Sequence, residues 1–167
     1  MKRSSSIPKA IFMNVLIFYD SKYGNTKIAA DKIAEGILSV KGIRTKTSYV
    51  KDADFEDVVN CNTIILGAPN HMGRPSRAMN QFIERLSALD LKDKKIAVFG
   101  TYSGRERDPD RAVKKLELTA KKKLPALNML SSTLSIRVNG VSGPIVDREL
   151  PKCLEFGRKI AIQLIDV

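Results

Sequence analysis

At 167 residues the chain is long enough for one domain with a substantial core and too short for two comfortable ones. Hydrophobic residues make up 43% and charged residues 28%, which argues against disorder, and no apolar run approaches the ~18 residues of a membrane span. The formal charge of +11 fits an anionic partner (nucleic acid, a membrane surface or an acidic protein), but no basic run is interleaved with aromatics, and a lysine-rich solvated surface is the simpler reading.

Residues 1–12 begin with Lys2, Arg3, three serines and Pro8. They lack the apolar core of a secretion signal and have nothing obvious to pack, so a disordered tail is expected, followed by a single domain over residues 13–167. Met13 stands directly before the first strand and competes with Met1 as the true start. Val15–Phe18 is too short for a helix and rich in β-favouring residues, so it reads as a strand buried on both faces. Asp20–Thr26 then supplies two hydroxyls (Ser21, Thr26), a flexible Gly24 and a helix start. Unpaired backbone N–H groups at a helix N-terminus carry partial positive charge, so strand, hydroxyl-rich loop and helix together read as a phosphate site.

The first helix is expected over Thr26–Val40, with Ala29, Ala30, Ile33, Ala34 and Ile37 at helical spacing and Gly42 beyond its end. Ile43–Val50 suits an edge strand, with Arg44 and Lys46 discouraging edge pairing. Asp52–Asn60 reads as a short acidic helix, capped by Asp52 or Asp54. Thr63–Ala68 is a second buried strand and runs into the loop Pro69–Pro75. Ser76 caps a helix that places Met79, Phe82, Ile83 and Leu86 on one face. Ile96–Gly100 is a third buried strand, followed by a polar loop over Thr101–Pro109. Asp108 as cap and Pro109 in the first turn open a helix running to about Lys123. Met129–Val138 reads as an edge strand and Asp147–Ile165 as the last helix, with Leu150, Leu154, Gly157, Ile160, Ala161 and Leu164 on one face.

Strand and helix thus alternate five times, which implies a parallel sheet with helices on both faces and right-handed crossovers. Ligands of such α/β folds bind beyond the carboxyl ends of the strands, and the three polar loops after the three most buried strands must share that end. Several ligand classes are excluded. No GxGxxG follows the first strand and no GxxxxGK[ST] exists. A phospho-receiver domain wants an acid where Ala68-Pro69 stands. Cys61 and Cys153 form no CxxC, and neither begins C-x5-R, because Gly67 and Lys159 follow at that spacing. Both thiols read as core or interface residues in a reduced cytoplasm. The residues alone lead to a phosphate-bearing planar ligand.

The stretch YDSKYGNTKIAADKIAEGI resembles the first strand, phosphate loop and first helix of flavodoxins. ILGAPNHMGRPSRAMNQFIERL resembles their third strand, flavin-contacting loop and following helix, closest to the flavodoxin-like modules of diiron flavoproteins and of quinone-reductase relatives. AVFGTYSG resembles the fourth strand and second flavin loop. The resemblance implies a flavodoxin-like, doubly wound α/β fold with a five-stranded parallel sheet in the order 2-1-3-4-5, binding FMN non-covalently. Ser21, Lys22, Tyr23, Gly24, Asn25 and Thr26 would hold the phosphate. Pro69, Asn70, His71, Met72 and Gly73, with Thr101, Tyr102, Ser103 and Gly104, would clasp the ring. Tyr102 is the best stacking candidate, Met72 a second apolar contact, and His71 is equally an ordinary loop histidine. The Met72–Gly73 peptide is the candidate for the backbone rotation that accompanies reduction in this family.

Two departures stand out: the chain has no tryptophan, and it is basic where many flavodoxins are strongly acidic. The implied function is electron transfer, one or two electrons at a time, with no acid, base, nucleophile or metal required of the protein. Its partners would be redox proteins, acidic ones favoured by the charge; a homodimer is allowed and nucleic acid disfavoured. The alternatives are an FMN-dependent NAD(P)H:quinone-type reductase, with Arg74, Arg77, Arg105 and Arg107 near an anionic cofactor, and a flavin-free binding domain using its basic surface.

Overall fold

The computed structural model describes residues 12–103 and 107–166. Among them, five strands and five helices alternate: β1 (Met13–Tyr19), α1 (Asn25–Leu38), β2 (Ile43–Tyr49), α2 (Phe55–Asn60), β3 (Thr63–Pro69), α3 (Arg77–Leu86), β4 (Lys95–Ser103), α4 (Arg111–Lys123), β5 (Asn128–Val138) and α5 (Leu150–Ile165). Every pairing is parallel and the sheet order is β2-β1-β3-β4-β5, as expected from the alternation and the resemblance. The three central strands are buried on both faces, which is why they read as continuous apolar runs.

Two apolar layers cover the sheet. On one face Val15, Ile17, Ile65, Ala97 and Phe99 meet α1 and α5 through Ile33, Ile37, Phe156 and Ile160. On the other, Leu16, Phe18, Ile64, Leu66 and Val98 meet α2, α3 and α4 through Val58, Phe82, Ile83 and Leu116. Phe82 packs on Phe18 with ring centroids 4.8 Å apart, and Phe55 joins it at 5.7 Å. α1 and α5 touch backbone to backbone. A Cβ on Gly157 would run into the Ile33 carbonyl, and one on Gly36 into the Leu154 carbonyl. These two glycines set the depth at which α1 lies, and α1 carries the loop at its head.

Several boundaries differ from the sequence expectation. The acidic helix contracts to Phe55–Asn60: Asp54, not Asp52, caps it by accepting the Glu56 N–H at 2.9 Å, while 50–52 form a separate 3-10 turn. Thr101, Tyr102 and Ser103 belong to β4 rather than to a loop. β5 is long enough to pair them, with Tyr102 opposite Arg137 and Ser103 opposite Val138, so their backbone groups find partners in the ladder. α4 begins at Arg111, two residues beyond Pro109. Asp108 Oδ1 accepts the Asp110 N–H at 3.2 Å, and this local bond holds 108–110 as a turn ahead of the helix. The last helix is likewise preceded by a 3-10 turn at Asp147–Glu149. At the end of the expected tail, Phe12 has a partner: the Arg44 guanidinium lies 3.9 Å from its ring centroid. Residues 1–11 of that tail lie outside the described residues.

Candidate functional site

The loops after β1, β3, β4 and β5 meet at the carboxyl end of the sheet. The first is built around Ser21, whose Oγ accepts the Gly24 N–H at 3.0 Å. Gly24 takes a left-handed φ of 89° and forms the N-cap of α1, its carbonyl accepting the Ile28 N–H at 3.0 Å. No side chain caps the helix, which leaves its first-turn N–H groups without a side-chain partner, and Asn25 and Thr26 border a pocket of about 170 Å³. Ser21, Lys22, Tyr23, Asn25 and Thr26 line it from one side; Pro69, Asn70, His71, Thr101 and Val141 line it from the other. Thr26 is 1% exposed, and its hydroxyl lies 3.0 Å from that of Thr101, joining the head of α1 to β4. Asn25 Nδ2 donates to the Ser142 carbonyl at 3.0 Å, joining it to the loop after β5.

The second loop is a tight hairpin. His71 N–H donates to Arg74 O at 2.8 Å and Arg74 N–H to His71 O at 3.0 Å. Met72 and Gly73 between them have φ of 54° and 79°, the pattern of a primed turn. Asn70 fastens the hairpin from behind: its Oδ1 accepts the Gly73 N–H at 2.6 Å, and its own N–H donates to Thr101 O at 2.8 Å. Beyond the hairpin opens a cleft of about 440 Å³, lined by Pro69, Asn70, Met72, Thr101, Tyr102, Ser103, Arg107, Arg111, Val138 and Val141. Pro69, Asn70, Thr101 and Val141 border both spaces, so pocket and cleft form one groove with a small polar end and a wide end.

The structure brings the three predicted loops together, with some redistribution. Ser21, Lys22, Tyr23, Asn25 and Thr26 line the small end, and His71 joins them there rather than lining the cleft. The Gly24 N–H, expected among the phosphate donors, is turned onto Ser21 Oγ. Met72, Tyr102 and Ser103 line the wide end. Gly73 lines neither space and lies under Arg111, where a Cβ would come within 2.6 Å of Nε. Arg77 lies in a groove between α3 and α4, away from the site. Gly104 and Arg105 fall outside the described residues.

Sequence reasoning missed Arg111, Val138 and Val141, all on the cleft wall, and Ser142. The signal for the last two was topological: residues 139–146 follow the fifth parallel strand and must share the end where the other loops meet. Also missed was Glu149, a buried carboxylate that accepts the Arg137 N–H at 3.2 Å and meets Lys152 Nζ at 2.6 Å, tying the end of β5 to the head of α5. Both cysteines are free and buried. Burial pushes the Cys61 thiol up from its ordinary value and that of Cys153 up to about 12, so neither is a ready nucleophile. No cluster of three or more His, Cys, Asp or Glu side chains suited to a metal occurs among the described residues. Nor is any described helix long and apolar enough to cross a membrane.

Comparison with known proteins agrees with this geometry. The model of the flavodoxin domain family matches residues 16–136. A flavodoxin of Aquifex aeolicus is 37% identical over 70 residues, covering 42% of this chain and 38% of that protein. An anaerobic nitric oxide reductase flavorubredoxin of Vibrio vulnificus is 33% identical over 95 residues, covering 53% of this chain and 19% of that protein. The chain thus spans well under half the length of these curated relatives. Among solved structures, a flavodoxin from the domain Archaea superposes with a TM-score of 0.76 at 21% identity, covering 91% of this chain and 99% of that one, a likeness of fold.

Proposed function

Because the chain belongs to the flavodoxin family, we propose that it binds FMN non-covalently and carries one or two electrons between redox proteins. The observation that carries this reading is the groove: an uncapped helix N-terminus with two hydroxyls at one end, continuous with a wide cleft at the other. The residues fit the group. The N–H groups of Asn25, Thr26 and Lys27, with the Ser21 and Thr26 hydroxyls and the Lys22 ammonium, are a donor set for a phosphate dianion. Tyr102, Met72 and Val141 offer apolar surface and Asn70, Thr101 and Ser103 polar edges, as a planar amphipathic ring requires. When bound, FMN supplies the redox chemistry.

The protein's own contribution is position and field. Thr101 closes on Thr26 behind the groove, and Asn70 holds the hairpin in front of it. Arg107 and Arg111 put positive charge beside the wide end, which favours added negative charge there. The expected consequence is a second reduction potential less negative than in acidic flavodoxins; a redox titration finding it equally negative contradicts this. The Met72–Gly73 peptide is restrained. Its rotation would break the Gly73–Asn70 bond and move Met72 into a conformation that a primed turn reserves for glycine, so we infer that it keeps its orientation.

A reducing cytoplasm is the compartment this reading expects, with two buried free thiols. The FMN-dependent NAD(P)H:quinone-type reductase stands as a second reading because Arg107 and Arg111 would also meet a pyrophosphate. One experiment separates them: the visible spectrum of the purified, FMN-loaded protein during stepwise reduction and after adding NADPH. The carrier reading expects flavin bands, a resolved one-electron step and no reaction with NADPH. Rapid bleaching by NADPH overturns it in favour of the reductase, and a protein that takes up no FMN overturns both.

A further inference from the structure

The mouth of the groove combines two features. The first is apolar exposure: Met72 is 94% exposed and Val141 77% exposed, one on each side of the cleft, with half-exposed Tyr23 at its small end. The second is positive charge. Arg74 closes the hairpin that carries Met72, and Arg107 and Arg111 line the cleft; all three are exposed. None of them is ion-paired with a carboxylate among the described residues. Ion pairs such as Lys32–Glu35, Lys46–Asp57, Lys121–Glu117, Lys123–Glu84 and Arg158–Glu155 lie on other surfaces. Asp108 and Asp110 stand just before α4 and offset part of this charge. α4, whose first residue Arg111 lines the wide end, has no acid within its first turn, so that guanidinium adds to the positive end of the helix dipole behind the N-cap residue Asp110.

An exposed apolar centre ringed by arginines is the anatomy of a protein interface, in which Met and Arg are enriched and opposite charge on the partner steers encounter. Resting on the electron-carrier reading, we propose that this mouth is the docking surface for an acidic redox protein. Its carboxylates meet Arg74, Arg107 and Arg111, and an apolar patch at its centre covers Met72 and Val141. The partner then reaches the wide end of the groove, where the redox-active part of the cofactor would lie, and not the phosphate end.

The test uses the full chain, apo and FMN-loaded, with a labelled twenty-residue polyglutamate peptide followed by fluorescence anisotropy at rising salt. The double variant Arg74→Gln/Arg107→Gln is compared with Lys122→Gln/Lys159→Gln, which removes the same charge from exposed sites elsewhere. The arginine variant should weaken peptide binding roughly three- to tenfold, as expected for two exposed pairs, and flatten its salt dependence, whereas the lysine variant should change it less than about twofold. In parallel, reduced FMN-loaded protein should pass electrons to anionic ferricyanide faster at low salt than at high salt, with cationic tris(phenanthroline)cobalt(III) showing the opposite trend. Equal losses in the two variants, or preferential binding of single-stranded oligothymidine over polyglutamate, overturn the proposal, the latter in favour of nucleic acid. FMN binding without the arginine effect sinks the docking surface alone. The arginine effect without FMN binding supports the acidic-partner surface and sinks the carrier reading.

Discussion

At the small end of the groove, Thr26 and Asn25 are almost wholly buried and hydrogen-bonded to β4 and to the loop after β5; at the wide end, Met72 stands almost fully in solvent on a hairpin with left-handed backbone. The small end is an extension of the core. It rests on α1, which rests on α5 through two backbone contacts that tolerate no side chain. The wide end is held by a few side-chain bonds around Asn70 and by Arg111 lying over Gly73. Binding rigidity is thus concentrated where a phosphate would sit, while exposure and charge are concentrated where a partner would approach.

The most disruptive way to break this contrast is to push α1 off α5. Gly157→Leu forces a side chain into the Ile33 carbonyl and should cost about 3 kcal/mol of stability in urea denaturation, with FMN binding lost in parallel. Full FMN affinity in a destabilised but folded Gly157→Leu protein would show that the small end does not depend on α1. Next in size is affinity. Thr26→Val removes a hydroxyl from the small end and should weaken FMN binding about tenfold by calorimetry, whereas Met72→Ala should change it less than about threefold. The reverse ranking would place the anchoring at the wide end.

A smaller effect of opposite sign is expected at the hairpin. Met72→Asn creates the Asn-Gly pair that primed turns favour and relieves a left-handed methionine, so stability should rise by up to about 1 kcal/mol. Unchanged or lowered stability would mean that the methionine is not held against backbone preference. The smallest effect at neutral pH comes from the thiols under the sheet. The folded pKa of Cys153, about 12, lies above its unfolded value, so the stability it contributes is fully present below about pH 9 and lost as pH rises toward 12. Cys153→Ala should flatten the alkaline fall in denaturation midpoint, and an unaltered fall would assign it to other groups.

The fold was legible because its determinants are local or periodic. Val15–Phe18, Ile64–Leu66 and Ile96–Phe99 are apolar on both faces, and the α3 stripe of Met79, Phe82, Ile83 and Leu86 is buried in full. The head of α1 was legible for the same reason, since Ser21, Gly24 and Thr26 lie within one turn of each other in sequence. The wide end was not. Tyr102 and Ser103 read as loop because their strand pairing depends on β5, some thirty-five residues downstream. Arg111 lines the cleft from the first residue of α4, which begins after the Asp108–Asp110 turn rather than at Pro109. Val141 and Ser142 were passed over although parallel topology already required their loop to lie beside the others.

The account rests on a phosphate held at the head of α1, and the most direct test is a paired titration of the apo protein with FMN and with riboflavin, followed by quenching of flavin fluorescence. Both carry the same ring, and only FMN carries the phosphate. The account predicts that FMN binds at least about a hundredfold more tightly, as two or more charge-assisted hydrogen bonds would give, and that Thr26→Val narrows the gap. Equal affinities, or binding of neither, would contradict it.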